Sequence, residues 1–307
     1  MIQWPEGKQF AFTIFDDTDN STVENIRPVY ELLNDYGIKT TKSVWSYPSR
    51  DNFAGDCLKD NNYLQFIKQL QTQGFEIALH NIGSGEFSRQ EIQEGFELFK
   101  KSLGQYPRLH ANHAGNIDSI YWGFEKRFVA PLKWLGILKN EHFLGDEQNS
   151  TCFWGDLCKQ HIQYIRNHTF NGINTAKYDK KMPYTEKKKN QYSNYWFSSS
   201  DGHTVKEFNQ LIQPANLDQL EKEKGFCIVY THFASGFYDR HHQLNTQFEN
   251  QIKQLATRNA WFVPVGTLLD YLMLERNRGI TSSYWHHLSM DMKWIFERII
   301  KKIKFGR

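Results

Sequence analysis

The strongest constraint on this sequence is an alternation. A short apolar run of strand character, QFAFTIF at 9–15, precedes a helical stretch, STVENIRPVYELLNDYG at 21–37. The pair recurs as IKTTKSVW with NNYLQFIKQLQTQG, then as FEIALH with SRQEIQEGFELFKKSLG, before the extended run YPRLHANH. It returns near the end with LDQLEKEKG, FCIVYTH, LNTQFENQIKQLATRN, AWFVPV and GTLLDYLML. Strands separated by helices of this length form βαβ units, and hence a parallel sheet covered by helices. Helix-end signals agree. Ser21 and Glu24 can cap the first helix and Gly37 stop it, although Pro28 falls inside; Gly74 stops the second; Ser88 and Glu91 make a capping box for the third. From about 140 to 205 the rhythm weakens, and YDKKMPYTEKKKNQYSNY reads as a polar loop with a solvated lysine run. One α/β domain accounts for 1–280, leaving 281–307 as a tail.

Polar residues mark the strand ends. Asp16 and Asp17, His80, His113 and His232 each fall at or just past the C-terminal end of an expected strand. That rim is where α/β folds build sites. Adjacent Asp16 and Asp17 repel one another, so they suit either a turn or a site that binds a cation and activates water. Bulk properties narrow the partners. Of 307 residues, 37 are basic and 34 acidic, a net +3 that is too mild for nucleic acid as the main partner. Hydrophobic residues at 39% supply a sizeable core. Cys57, Cys152, Cys158 and Cys227 form no C-x-x-C pair and read as reduced thiols. The N-terminus has no signal-peptide pattern and no window approaches the ~20 apolar residues of a membrane span, so a soluble cytoplasmic protein is expected.

Over roughly residues 8 to 270 the chain resembles the polysaccharide deacetylases of carbohydrate esterase family four. TIFDD is similar to the family's first motif, GFEIALHN to its second and IVYTHF to its last. The resemblance implies a distorted (β/α) barrel of about seven parallel strands and a metal-dependent removal of N-acetyl groups from sugars. It gives Asp16 as catalytic base, Asp17 and His80 as metal ligands, and His232 as the acid for the leaving amine. The sequence departs from the pattern at Ser84, where a second ligand His belongs, and at Asn81. In ANHAG, Gly115 is kept, but Ala111 replaces an Arg and His113 a Pro. His113 is expected to fill the vacant coordination place; its competitor His110 lies on the opposite strand face. Arg166 is the candidate stand-in for the lost Arg and, with Trp122, for substrate binding. Asp19 is expected to cap a helix or hold a ligand His rather than bind metal. Trp45, Tyr121, Trp154 and Phe237 either stack on sugars or pack in the core. Two imidazoles and a carboxylate suit Zn²⁺, with Co²⁺, Ni²⁺ or Fe²⁺ allowed by affinity.

DDTD with WGFE, FWGD, YTHFASGF and WFVPV further resembles a divergent branch found with bacterial surface-polysaccharide genes. This implies a cytoplasmic enzyme acting on nucleotide- or lipid-linked sugars. The alternatives are a catalytically altered glycan-binding relative and an amidohydrolase on a small substrate. Finally, MDMKWIFERIIKKIKFGR reads as a basic amphipathic helix. Trp294, Ile295, Phe296, Ile299 and Ile303 share a face, with Lys301, Lys302, Lys304 and Arg307 crowding its end. It either packs on the domain or lies on an anionic membrane surface at the inner leaflet.

Overall fold

A computed structural model describes residues 2–123, 142–276 and 280–305. Its strands are β1 (Phe10–Asp16), β2 (Thr41–Val44), β3 (Glu76–Leu79), β4 (Leu109–His110), β5 (Tyr164–Phe170), β6 (Tyr184–Thr185), β7 (Tyr195–Asp201), β8 (Phe226–Thr231), β9 (Ala260–Phe262) and β10 (Ile280–Thr281). The helices are α1 (Val23–Asp35), α2 (Asn61–Thr72), α3 (Arg89–Leu103), α4 (Gly155–His161), α5 (Thr175–Tyr178), α6 (Val205–Leu211), α7 (Pro214–Lys222), α8 (Thr246–Ala256), α9 (Val265–Glu275) and α10 (Tyr284–Phe305). Seven parallel strands close into a barrel in the order β1-β2-β3-β4-β5-β7-β8, with β8 returning to β1. This is the distorted (β/α) barrel expected from the sequence. The distortion is local. β2 meets β1 only at Phe15 and Asp16, and β9 takes the vacated edge along Phe10–Phe12. Outside the barrel, β6 runs antiparallel to β7 and carries β10.

All seven residues of β1 are buried, as a parallel strand covered on both faces requires. Its side chains alternate between two environments. Phe15 lies 6.1 Å from Phe197, on a strand that does not neighbour β1, so it points into the barrel. Asp16 points the other way, towards α1. There it accepts from Tyr30 Oη at 2.9 Å and the Phe233 amide at 2.8 Å, and it pairs with Lys42 Nζ at 3.0 Å. Both members of this ion pair are fully buried. Burial pushes the Asp16 carboxyl up from its ordinary value, against the pull of Lys42 and the two hydrogen bonds.

The helices bury one face each. In α2, Tyr63, Phe66, Ile67 and Leu70 follow the helical period into the core. The capping box of α3 is Ser88 with Glu91. That of α1 is Thr22 with Asn25, one position later than the Ser21 and Glu24 of the sequence pattern. The region from 140 to 205 is corrected further. It contains two barrel strands, β5 and β7, and the lysine run is not uniformly solvated: Lys189 is buried against Glu186 at 3.0 Å. All four cysteines are free and buried.

The buried pair sets a stability expectation. Lys42→Met strands an unpaired carboxylate and should cost about 3–5 kcal/mol in denaturant unfolding, whereas Asp16→Asn combined with Lys42→Met should recover most of that loss. A double variant as weak as the single one would show that Lys42 acts through packing instead.

Candidate metal and catalytic site

The alternation that turns Asp16 outward turns Asp17 inward, and the turn after it brings Asp19 to the same rim. Here the strand ends of β1, β3 and β8, with the loop after β4, surround a cavity of about 600 Å³. Asp17, Asp19, His80, His113, Arg166, Trp122 and His232 all line it. Asp16 does not, and its carboxylate is already satisfied by three donors, so it is not placed to meet a substrate. This corrects the expected base.

Asp19 sits among three imidazoles. Its oxygens lie 2.7 Å from His113 Nε2, 2.7 Å from His232 Nε2 and 3.4 Å from His80 Nε2. Burial opposes its charge, but these neighbours hold the carboxyl far below the ordinary range. Burial likewise disfavours charge on His113 and His232, and the hydrogen bond to Asp19 outweighs it and raises both. Asp19, His80 and His113 each offer one donor atom within 4.8 Å of the others, and Asp17, Asp19 and His232 form a second such group.

The outer nitrogens of the first group fit a cation. His80 Nδ1 faces the Ala111 carbonyl at 2.8 Å and must donate to it. His113 Nδ1 faces Asn116 Oδ1 at 3.0 Å. The orientation of that amide is set, since its nitrogen donates to the Gly83 carbonyl and its oxygen accepts from the Gly85 amide. In the neutral form, both imidazoles therefore turn an Nε2 lone pair towards Asp19, as ligand histidines do. His232 differs: its Nδ1 has no hydrogen-bond partner.

Asp17 was expected to be the carboxylate of the ligand set. It is instead clamped by Arg166, with N–O distances of 2.7 and 2.5 Å, and is 3.8 Å from His80 Nε2. Burial works to raise its pKa, but Arg166 and then His80 hold it below the ordinary value. A bidentate guanidinium already engages both oxygens of Asp17, whereas no guanidinium holds Asp19. Arg166 itself packs over Phe15 at 5.0 Å and Tyr230 at 4.4 Å. It is thus held as a partner of Asp17 rather than turned towards a ligand.

The departures from the family pattern have local accounts. Ser84 donates to Asp51 at 2.7 Å, on a loop beside the site. Asn81 has φ 48°, a conformation Asn tolerates better than most residues, and its side chain accepts from the His113 amide at 2.8 Å. His110 faces away, bonded to Asn112 at 3.0 Å, and burial pushes it down to about 3. Trp45, Trp154 and Phe237 are buried in the interior. His203 and Tyr230, both lining the cavity, escaped the sequence reading. His203 bonds Tyr230 Oη at 2.9 Å and its ring centroid lies 4.4 Å from that of His232. It follows β7, a strand whose serine-rich sequence hid it, so the strand-end rule was never applied there.

No protein-family model and no curated protein matches the chain. Among solved structures it is similar to a Mycobacterium smegmatis protein assigned as a polysaccharide deacetylase, with TM-score 0.51 and 12% identity over 92% of this chain and 96% of that one. It is also similar to PuuE allantoinase (0.53, 11%, 89% and 93%). A Pseudomonas aeruginosa PAO1 protein, likewise assigned as a polysaccharide deacetylase, gives 0.51 and 11% over 89% and 94%. At these identities the likeness is one of fold.

The donor geometry makes a binding prediction. Titrated with Zn²⁺ in a calorimeter, His113→Ala and Asp19→Ala should each lose at least about tenfold in affinity, as ligand-sphere changes do. His110→Ala and Asp16→Asn should stay near wild type. Loss of binding in His110→Ala alone would reverse the assignment.

Proposed function

We propose that this chain is a metal-dependent hydrolase that removes an N-acetyl group from a sugar unit of the kind used to build bacterial surface polysaccharides. The observation that carries the reading is the gathering of Asp19, His80 and His113 beside the Asp17–Arg166 pair and His232 in one cavity. The surface-polysaccharide setting rests on the sequence resemblance. Asp19, His80 and His113 would hold the cation, with Zn²⁺ favoured by this donor set. Bound there, it would supply Lewis acidity to the acyl oxygen and lower the pKa of water.

The remaining roles fall to this chain's own groups. Asp17 accepts the proton of the attacking water. Arg166 fixes the orientation of that carboxylate and keeps it ionised. As the C–N bond breaks, His232 delivers a proton to the departing nitrogen. Asp19 orients His232 through its Nε2. Trp122, Phe53 and Tyr230 give the cavity aromatic faces against which a pyranose ring can stack, and about 600 Å³ accommodates more than one such ring. That lining favours a saccharide over a small amide.

Two measurements test the reading. A panel of N-acetylated sugars and small cyclic amides should give turnover on the sugars, lost on chelation and restored by Zn²⁺; turnover confined to the amides would replace the substrate class. Asp17→Asn and His232→Ala should each lower kcat by about 10²–10⁴ while still binding Zn²⁺. Near-normal turnover in Asp17→Asn would remove it as the base.

A further inference from the structure

Helix α10 has two unlike faces. One is docked: Met290 and Asp291 are buried, Asp291 lies 3.5 Å from His168 on β5, and Glu297 accepts from the Asn171 amide at 2.7 Å. Trp294 and Arg298 reach the wall of the catalytic cavity. This corrects the expected apolar face, which included Trp294. At about 100° per residue, Trp294 projects nearly opposite Phe296.

The other face carries Trp285, Met292, Phe296, Ile299 and Ile303. These fall within about 60° of one another around the helix. Each is between 53% and 79% exposed. Ordinary docking helices turn such residues to the core, so this stripe has an occupant other than the barrel.

Charge indicates which. The last nine residues, IIKKIKFGR, hold four basic residues and no acidic one. At the other end of the helix, Lys181 donates to Ser283 at 3.3 Å, and β6 pairs with β10, so the loop bearing Lys180 and Lys187 adjoins the start of α10. An apolar stripe on a helix whose sequence ends in a basic run, and whose start adjoins a lysine-bearing loop, is complementary to an anionic bilayer surface, which offers acyl chains to the stripe and headgroups to basic residues. A second copy of this chain would set lysines against lysines. No helix among the described residues is long and apolar enough to cross a membrane, so the mode is one of lying in the interface.

We propose that segment 281–307 is a membrane-docking element that lays the exposed stripe of α10 on an anionic bilayer. Because the opposite face lines the cavity, docking holds the cavity close to the lipid surface. The proposal does not depend on the chemistry assigned to the cavity.

The full chain is sedimented with phosphatidylglycerol–phosphatidylcholine vesicles and with phosphatidylcholine vesicles. Partitioning onto the anionic vesicles should be at least about tenfold higher and fall with salt. Phe296→Ser, Ile299→Ser and Ile303→Ser combined should abolish it while leaving the unfolding midpoint and Zn²⁺ binding unchanged. Brominated lipid should quench the indole of Trp285, and the quenching should vanish in Trp285→Phe. Equal partitioning onto both vesicles, or an unaffected triple variant, overturns the proposal. So does a solution dimer that the triple variant dissociates, which would make the occupant a second copy.

Discussion

Neighbouring residues of an extended strand face opposite sides, and at the end of β1 this rule separates Asp16 from Asp17. Asp16 falls on the helix side, where Lys42, Tyr30 and the Phe233 amide hold it. Asp17 then has to face the cavity, and Asp19 arrives on the same side beyond it. A buried ion pair gains little stability over an apolar pair of the same volume. Its value here is geometric. Shifting β1 by one residue would put either Phe15 or Asp17 against Lys42 and reverse the faces of Asp16 and Asp17.

Much of this was legible in the sequence. The strand–helix rhythm predicted the parallel sheet, the family resemblance implied its closure into a barrel, and the strand-end rule pointed to His80, His113 and His232. His113 was preferred to His110 for its place in the motif ANHAG; the structure sets His113 in the loop after β4, on the cavity, and turns His110 away. The roles within DDTD were not legible, because the motif match fixed attention on the adjacent pair and left Asp19 as a cap. Choosing Asp19 over Asp17 further requires knowing that Arg166 reaches Asp17. That contact spans 149 residues and has no local trace. The strands β5 and β7 were hidden by polar residues such as Asn167, Ser198, Ser199 and Ser200, which are buried in a sheet rather than exposed in a loop.

The site is assembled from parts that a pattern scores as losses. Ser84, in place of a ligand His, ties down the neighbouring loop through Asp51. Asn81 adopts a backbone conformation disfavoured for larger side chains and uses its amide to seat His113. Arg166, on β5, clamps Asp17, while Ala111 stands at the position of the pattern's Arg.

The pairing of β1 also governs when the molecule can form. Its flanks are β2, completed by residue 44, and then β8 and β9, both beyond residue 225. The Phe233 amide that caps Asp16 is 217 residues away. β1 is therefore synthesised well before the strands that complete its pairing. Its apolar run FAFTIF must wait, with an open edge, through most of synthesis. Closing so long a loop makes barrel completion a late, all-or-none event. A chain cut before β8 would keep Asp16, Asp17 and Asp19 and three of the four histidine-bearing strand ends, yet would have no closed rim on which to arrange them.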